Sequence, residues 1–258
     1  MVRNLEYPKK AQNTVKRYNS RGTYDLGAIH SIINTTSVLH VSFPPAPDNP
    51  FPAILPMIGV MGSFEYPSAS LDEPLDCYLH GYVSSRVMRL ARDSPNGLPV
   101  SVAATKVDGL VLSLTPNSHS YNYRSAVLQG YGRVVDSDEE KIYAMQLITN
   151  KVVANRWENT RVPPDNVEMT STTILRVKIE TGSGKIRQGG PHDEAKDEKR
   201  DEITEKVWTG VIPVSEVFGE PIPSATNRVK QLPAYIDSYV TETNQSSREL
   251  SLNAVNEP

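Results

Sequence analysis

The stretch from Leu98 to Val135, LPVSVAATKVDGLVLSLTPNSHSYNYRSAVLQGYGRVV, constrains this chain more than any other. It reads as three strand-like runs with one polar insertion and no helix between them. Strands not separated regularly by helices argue against a parallel βαβ sheet. Val100 to Thr105 and Leu110 to Leu114 are β-branched and aliphatic, and Asp108-Gly109 between them is a short hairpin signal, because both positions tolerate positive φ. The third run, Ala126 to Val135, follows a block holding His119, Ser120, Asn122, Tyr123, Arg124 and Ser125. A phenol, a guanidinium, an amide and hydroxyls gathered where a loop enters a strand suit an anionic ligand.

Other segments extend the pattern. Leu26, Ile29, Ile32 and Ile33 recur at helical spacing behind Asp25, a candidate N-cap. Ser37 to Phe43 reads as a strand that ends at the proline-rich run 44–48, which cannot continue a ladder. Ala53 to Val60 and Asp76 to His80 read as further strands. From Ser84 to Arg92 the period becomes helical, and Asp136 to Val153 is the clearest helix. There Asp136 and Ser137 each precede a glutamate by three, Ile142, Met145, Ile148 and Val152 form the expected buried stripe, and two capping boxes overlap. Thr173 to Glu180 alternates as a strand with one covered and one mostly wet face. Residues 191–206 are almost all charge and read as a solvated loop, before strand character returns at Val207 to Val214.

The expected organisation is an N-terminal arm over 1–22, one domain over 23–241 and a flexible tail over 242–258. Six or seven strands interrupted by three or four helices predict a mainly β fold, an antiparallel barrel with peripheral helices.

The near balance of 27 basic and 30 acidic residues argues against a nucleic-acid binder. No apolar run reaches the roughly 18 residues of a membrane helix, and the N-terminus lacks a signal-peptide core. One cysteine, Cys77, precludes an intramolecular disulfide and suits a reducing compartment. A cytoplasmic protein with no membrane partner is expected. The five histidines show no metal-ligand spacing, so no metal is expected. His119-Ser120 is not a nucleophile pair, since strand neighbours face opposite ways and no G-x-S-x-G elbow is present.

Two constellations carry the chemistry. In the first, a strand ends at His80-Gly81 and a helix opens with Ser84, Ser85 and Arg86, an arrangement that receives phosphate well. The bland alternative is an ordinary cap with a surface arginine. In the second, Asn122, Tyr123, Arg124 and Ser125 could reach the same phosphate, against the alternative of a plain strand-edge cluster.

LHGYVSSR, VAATKVDGLVLSLTPNSHSYNYRSAVLQGYGRVV, NRWENTRVPP and WTGVIP, in this order and spacing, resemble the pyridoxamine 5′-phosphate oxidase-like flavin-binding proteins, in the branch of flavin-nucleotide-binding proteins. The resemblance covers about Val15 to Val214. It implies a six-stranded antiparallel split β-barrel, the FMN-binding split barrel, that forms a homodimer with FMN between the subunits. It places Ser85, Arg86, Asn122, Tyr123, Arg124 and Ser125 at the phosphate, the backbone of Pro56, Met57, Ile58 and Gly59 along the flavin ring, and Trp208 near the flavin of the partner chain. Lys185 and Arg187 match a basic pair of this branch that receives no role. The residues with which the pyridoxamine oxidases grip their substrate phosphate have no counterpart. The expected function is an FMN-dependent oxidoreductase passing hydride between a small organic substrate and the flavin; the alternative is a flavin- or haem-binding carrier or sensor without turnover. No catalytic acid or base is assigned, His80 and Tyr121 being the nearest polar groups.

Overall fold

The computed structural model describes residues 4–45 and 49–256, so Ala46, Pro47 and Asp48 of the expected proline loop lie outside the described residues. In chain order the elements are β1 (Gly22–Thr23), α1 (Leu26–Thr35), β2 (Leu39–Phe43), β3 (Ala53–Met57), β4 (Gly59–Gly62), β5 (Asp76–Tyr82) and α2 (Arg86–Arg92). They continue with β6 (Leu98–Leu112), β7 (Ser120–Val134), α3 (Asp138–Val152), α4 (Asn166–Ser171) and β8 (Thr172–Arg187), and end with α5 (Ala195–Glu198), α6 (Asp201–Thr204), β9 (Gly210–Pro213) and α7 (Ala234–Asn253).

The fold is mainly antiparallel β with helices around it, as expected, but the sheet holds nine strands among the described residues rather than six. Its path runs β3-β2-β6-β7-β8-β5-β4, with β1 beside β8 and β9 beside β6. β3 and β4 stand at opposite ends of that path, yet only Ile58 separates them in the chain. The backbone therefore bends at Ile58 from one edge of the sheet to the other, which splits the expected continuous strand 53–60 in two.

The chain divides into two compact units. One is the chain up to Thr105 with Ser125–Lys185; the other is Lys106–Arg124 with the chain from Ile186 onward. In the first, Ile29, Ile33, Leu39, Val41, Leu79, Val102, Leu128 and Leu175 are buried, each contributing about 1.5–3 kcal/mol. α1 forms as its period requires, and the Asp25 carboxylate accepts from the Ala28 amide at 2.8 Å.

The other face of the sheet is also covered. Val60, Tyr78 and Ile174 pack with Ala144 and Ile148 of α3. The expected wet face of the 173–180 strand is thus half buried, and the stripe of α3 is Ala144 and Ile148 flanked by Tyr143 and Leu147, while Val152 is exposed. α3 is capped by Ser137, whose hydroxyl accepts from the Glu140 amide, and Tyr78 and Arg176 both donate to Glu140 at 2.9 Å.

The arm is tied down rather than loose. Asn13 is buried and donates to the Gly182 carbonyl at 2.9 Å. The Leu71 carbonyl can only accept, so His30 Nδ1 carries the proton and donates to it at 2.6 Å. His30 Nε2 then accepts from the Tyr7 hydroxyl, also at 2.6 Å. Burial holds the His30 pKa below its ordinary value, outweighing the Leu71 carbonyl and Asp25 and Asp72, which favour the charged form. As pH falls below about 6.5 the unfolded chain takes a proton that folded His30 resists. Stability should drop from that pH down through the folded pKa, and His30→Gln should flatten the drop in thermal melts run between pH 7 and pH 5. An unchanged profile in the variant would assign the loss to other groups.

In the second unit the hairpin does not turn at Asp108-Gly109. β6 runs straight through to Leu112, and the turn lies at 113–119. Three contacts override the local signal: Asp108 pairs with Arg124, its carbonyl accepts from Val214, and Gly109 lies opposite Pro213 of β9. The strand expected over 207–214 shortens to β9, and the charged run 191–206 carries the short α5 and α6. The expected loose tail is helical as far as Asn253. α7 is held by Ser247 and Asn244, which accept from the Glu216 and Phe218 amides at 3.0 and 2.7 Å.

Candidate functional site

In the first unit, β5 passes Gly81 and ends at Tyr82, and the Ser85 amide donates to the Tyr82 carbonyl at 2.9 Å to begin α2. Ser85 has the extended backbone of an N-cap, but its hydroxyl caps nothing. Ser85 Oγ and Arg86 Nη2 are both buried and without a hydrogen-bond partner among the described residues. Two adjacent polar groups withdrawn from water and left unsatisfied are costly, on the order of 1–3 kcal/mol each. A phosphate at this point would satisfy both, with the guanidinium supplying charge and the hydroxyl a further donor.

The surroundings keep that space clear. A β-carbon on Gly81 would meet Met88 Cε at 2.7 Å, with Met57 Cε and Ser85 Oγ each at 3.6 Å. Met57, at the end of β3, therefore closes on the same point as Gly81 and Ser85. Ile58 is exposed at the bend, and its carbonyl accepts from the His80 amide at 3.1 Å. His80 presents its ring to the surface, yet surrounding protein lowers its pKa, so the imidazole is neutral at pH 7. Ser84 is exposed.

The Arg86 guanidinium lies 5.8 Å from the Phe43 ring. Phe43 in turn lines an open groove of about 480 Å³ whose walls include Pro44, Pro52, Pro99 and Tyr131. That volume is of the size that takes a small organic ligand. The sequence reading missed Phe43, whose buried place in β2 marks it only as core.

Ser125 also belongs to the first unit, where its hydroxyl donates to the Lys185 carbonyl at 3.1 Å. Asn122, Tyr123, Arg124 and Trp208 belong to the second. There Asn122 is fully buried and donates to the carbonyls of Gly189 and Ala254 at 3.1 and 2.8 Å. Its own oxygen accepts from Arg187, which also donates to the Gly190 carbonyl at 2.8 Å. Asn122 thus fastens the end of α7, with its amide engaged inside the fold. Arg124 forms a two-pronged ion pair with Asp108, both contacts 2.8 Å, in a largely buried setting. Its charge is paired from within the fold by the Asp108 carboxylate. Tyr123 is half-buried and Trp208 exposed.

The Ser113 amide donates to His119 Nδ1 at 2.9 Å, so neutral His119 carries its proton on Nε2. Among the described residues no group of three His, Cys, Asp or Glu side chains could hold a metal ion, and no helix is long and apolar enough to cross a membrane.

A mainly antiparallel sheet that the chain crosses from edge to edge at Ile58, with helices around it, is the architecture of the split-barrel class. The family model described as pyridoxamine 5′-phosphate oxidase matches residues 25–186. The chain belongs to that family. Among solved structures it is similar to the flavocytochrome Anf3 from Azotobacter vinelandii, with TM-score 0.73 and 23% identity over 91% of this chain and 99% of that one. It is also similar to the FAD and heme binding protein from Mycobacterium smegmatis, with TM-score 0.70 and 22% identity over 85% of this chain and 97% of that one. No curated protein matches the sequence.

Proposed function

We propose that this chain is a flavin-dependent oxidoreductase that holds the phosphate of FMN on Ser85 and Arg86. The observation that carries the reading is the buried, partnerless pair of Ser85 Oγ and Arg86 Nη2. Membership of the family and the flavin named for both similar structures support it. When bound, the flavin would supply the hydride chemistry. The chain's own part is to hold the phosphate by charge and hydroxyl, to lay Met57 and Ile58 along the ring, and to offer the groove beside Phe43 to a small organic substrate. We read the working form as a homodimer with the flavin between subunits, for which the exposed Phe51, Ile54 and Trp208 offer apolar surface.

Purified protein, or protein incubated with FMN, should be yellow, and mass spectrometry of the released ligand should return FMN. Released FAD would correct the cofactor while keeping the site. Protein that takes up neither flavin would sink the reading.

A second reading, a carrier or sensor without turnover, is favoured by the absence of an assigned acid or base. The heme named for the Mycobacterium smegmatis protein extends it to haem. Steady-state reduction by NADH or NADPH separates the two, since a carrier's flavin stays oxidised under every donor.

A further inference from the structure

We infer that the N-terminal arm carries a second anion site, centred on Tyr18, which takes the phosphate groups of a small phosphorylated ligand. Three cations converge on the Tyr18 ring. The guanidinium carbons of Arg17 and Arg21 lie 5.2 and 4.4 Å from its centroid, and Lys185 Nζ lies 5.8 Å away. Among the described residues, none of the three has an ion pair with a carboxylate. Like charges this close repel one another, and the ring's electron-rich face offsets only part of that. An anion between them would remove the repulsion outright.

The site is built rather than accidental. Tyr18 has φ 52, the left-handed region that a residue with a β-carbon enters at a cost. Lys185 donates to the Arg17 carbonyl at 3.0 Å, and its backbone lies opposite Gly22 in the β1–β8 ladder. The arm and the end of β8 are thus locked together with their charges facing one ring. Lys185 gains a role here that the family resemblance leaves open.

Charge distribution selects the ligand. Residues 4–22 hold five basic side chains and one acidic one in a chain whose net charge is −3. A nucleic acid or an anionic membrane needs an extended basic stripe; a compact cluster on an acidic protein suits one or two phosphate groups. Tyr18 is 53% exposed, and a planar guanidinium can bridge two phosphate oxygens. The site is separate from Ser85 and Arg86. Gly81 lies opposite Thr173 on β8, and Lys185 is twelve residues further along that strand, about 40 Å of strand at about 3.3 Å per residue.

The test is calorimetric titration of the full chain with inorganic pyrophosphate. In an Arg86→Met background, which disables the proposed flavin phosphate site, pyrophosphate should still bind, and binding should weaken as salt rises. Adding Arg17→Gln and Arg21→Gln should weaken it at least about tenfold, the loss of a charge-assisted contact. Lys185→Gln, which leaves the backbone ladder intact, should weaken it without loss of the folded state and so guards against a trivial unfolding of the arm. Pyrophosphate binding abolished by Arg86→Met alone, or unchanged by the arm substitutions, would overturn the site. So would arm-dependent binding to phosphatidylserine vesicles with none to pyrophosphate. A flavin reading that fails leaves this outcome untouched, because the readout is heat of phosphate binding and not flavin retention.

Discussion

Arg86→Met should weaken flavin binding roughly 10- to 150-fold while leaving the flavin-free protein at least as stable as the wild type. The affinity loss is that of one charge-assisted contact to phosphate, about 1.5–3 kcal/mol. The stability result runs opposite to most substitutions of half-buried residues. Arg86 Nη2 is buried without an acceptor, so the flavin-free fold bears its desolvation with nothing returned. Methionine keeps the length of the stem and the contact with Phe43 while removing the unsatisfied donor. Fluorescence titration of flavin-free protein gives the affinity, and urea unfolding of the same sample gives the stability. The two signs together separate a ligand-binding arginine from a structural one, whose removal would lower stability and leave flavin affinity alone. Ser85→Ala should act in the same sense with a smaller loss, because its contact is neutral.

What the sequence revealed depended on how local the determining contacts are. α1 and α3 were legible because their periods and caps lie within a few residues: Asp25 bonds three residues on to Ala28, and Ser137 three on to Glu140. The serine-arginine pair was legible for the same reason, since strand, glycine, hydroxyl and guanidinium follow one another directly. The turn at Asp108-Gly109 was misplaced because its local preference is overruled by Arg124 and by β9, which starts a hundred residues later. Asn122 is held by contacts of the same long-range kind. Its partners are 67 and 132 residues away, and nothing beside it in the chain announces them. The break at Ile58 hides inside an apolar run, because bending between sheet edges leaves no mark in hydrophobicity. The arm reads as basic and polar by composition; two buried side chains, Tyr7 and Asn13, hold it.

Asp108→Ala should destabilise the protein by about 3 kcal/mol, and Arg124→Leu added to it should recover most of that loss. The carboxylate is 7% and the guanidinium 18% exposed, and two hydrogen bonds of 2.8 Å join them. Removing the carboxylate strands a largely desolvated positive charge, which costs about 3–5 kcal/mol when the pair is fully buried and less where water reaches one partner. Replacing both by apolar groups returns most of it, since the pair's attraction is nearly spent on its own desolvation. Urea unfolding of the single and double variants closes the cycle. The same proteins decide what Arg124 is for. If its charge is wholly engaged by Asp108, the double variant binds flavin as the wild type does. Should the folded double variant lose flavin as severely as Arg86→Met, the Asp108–Arg124 pair is more than a fixed part of the fold.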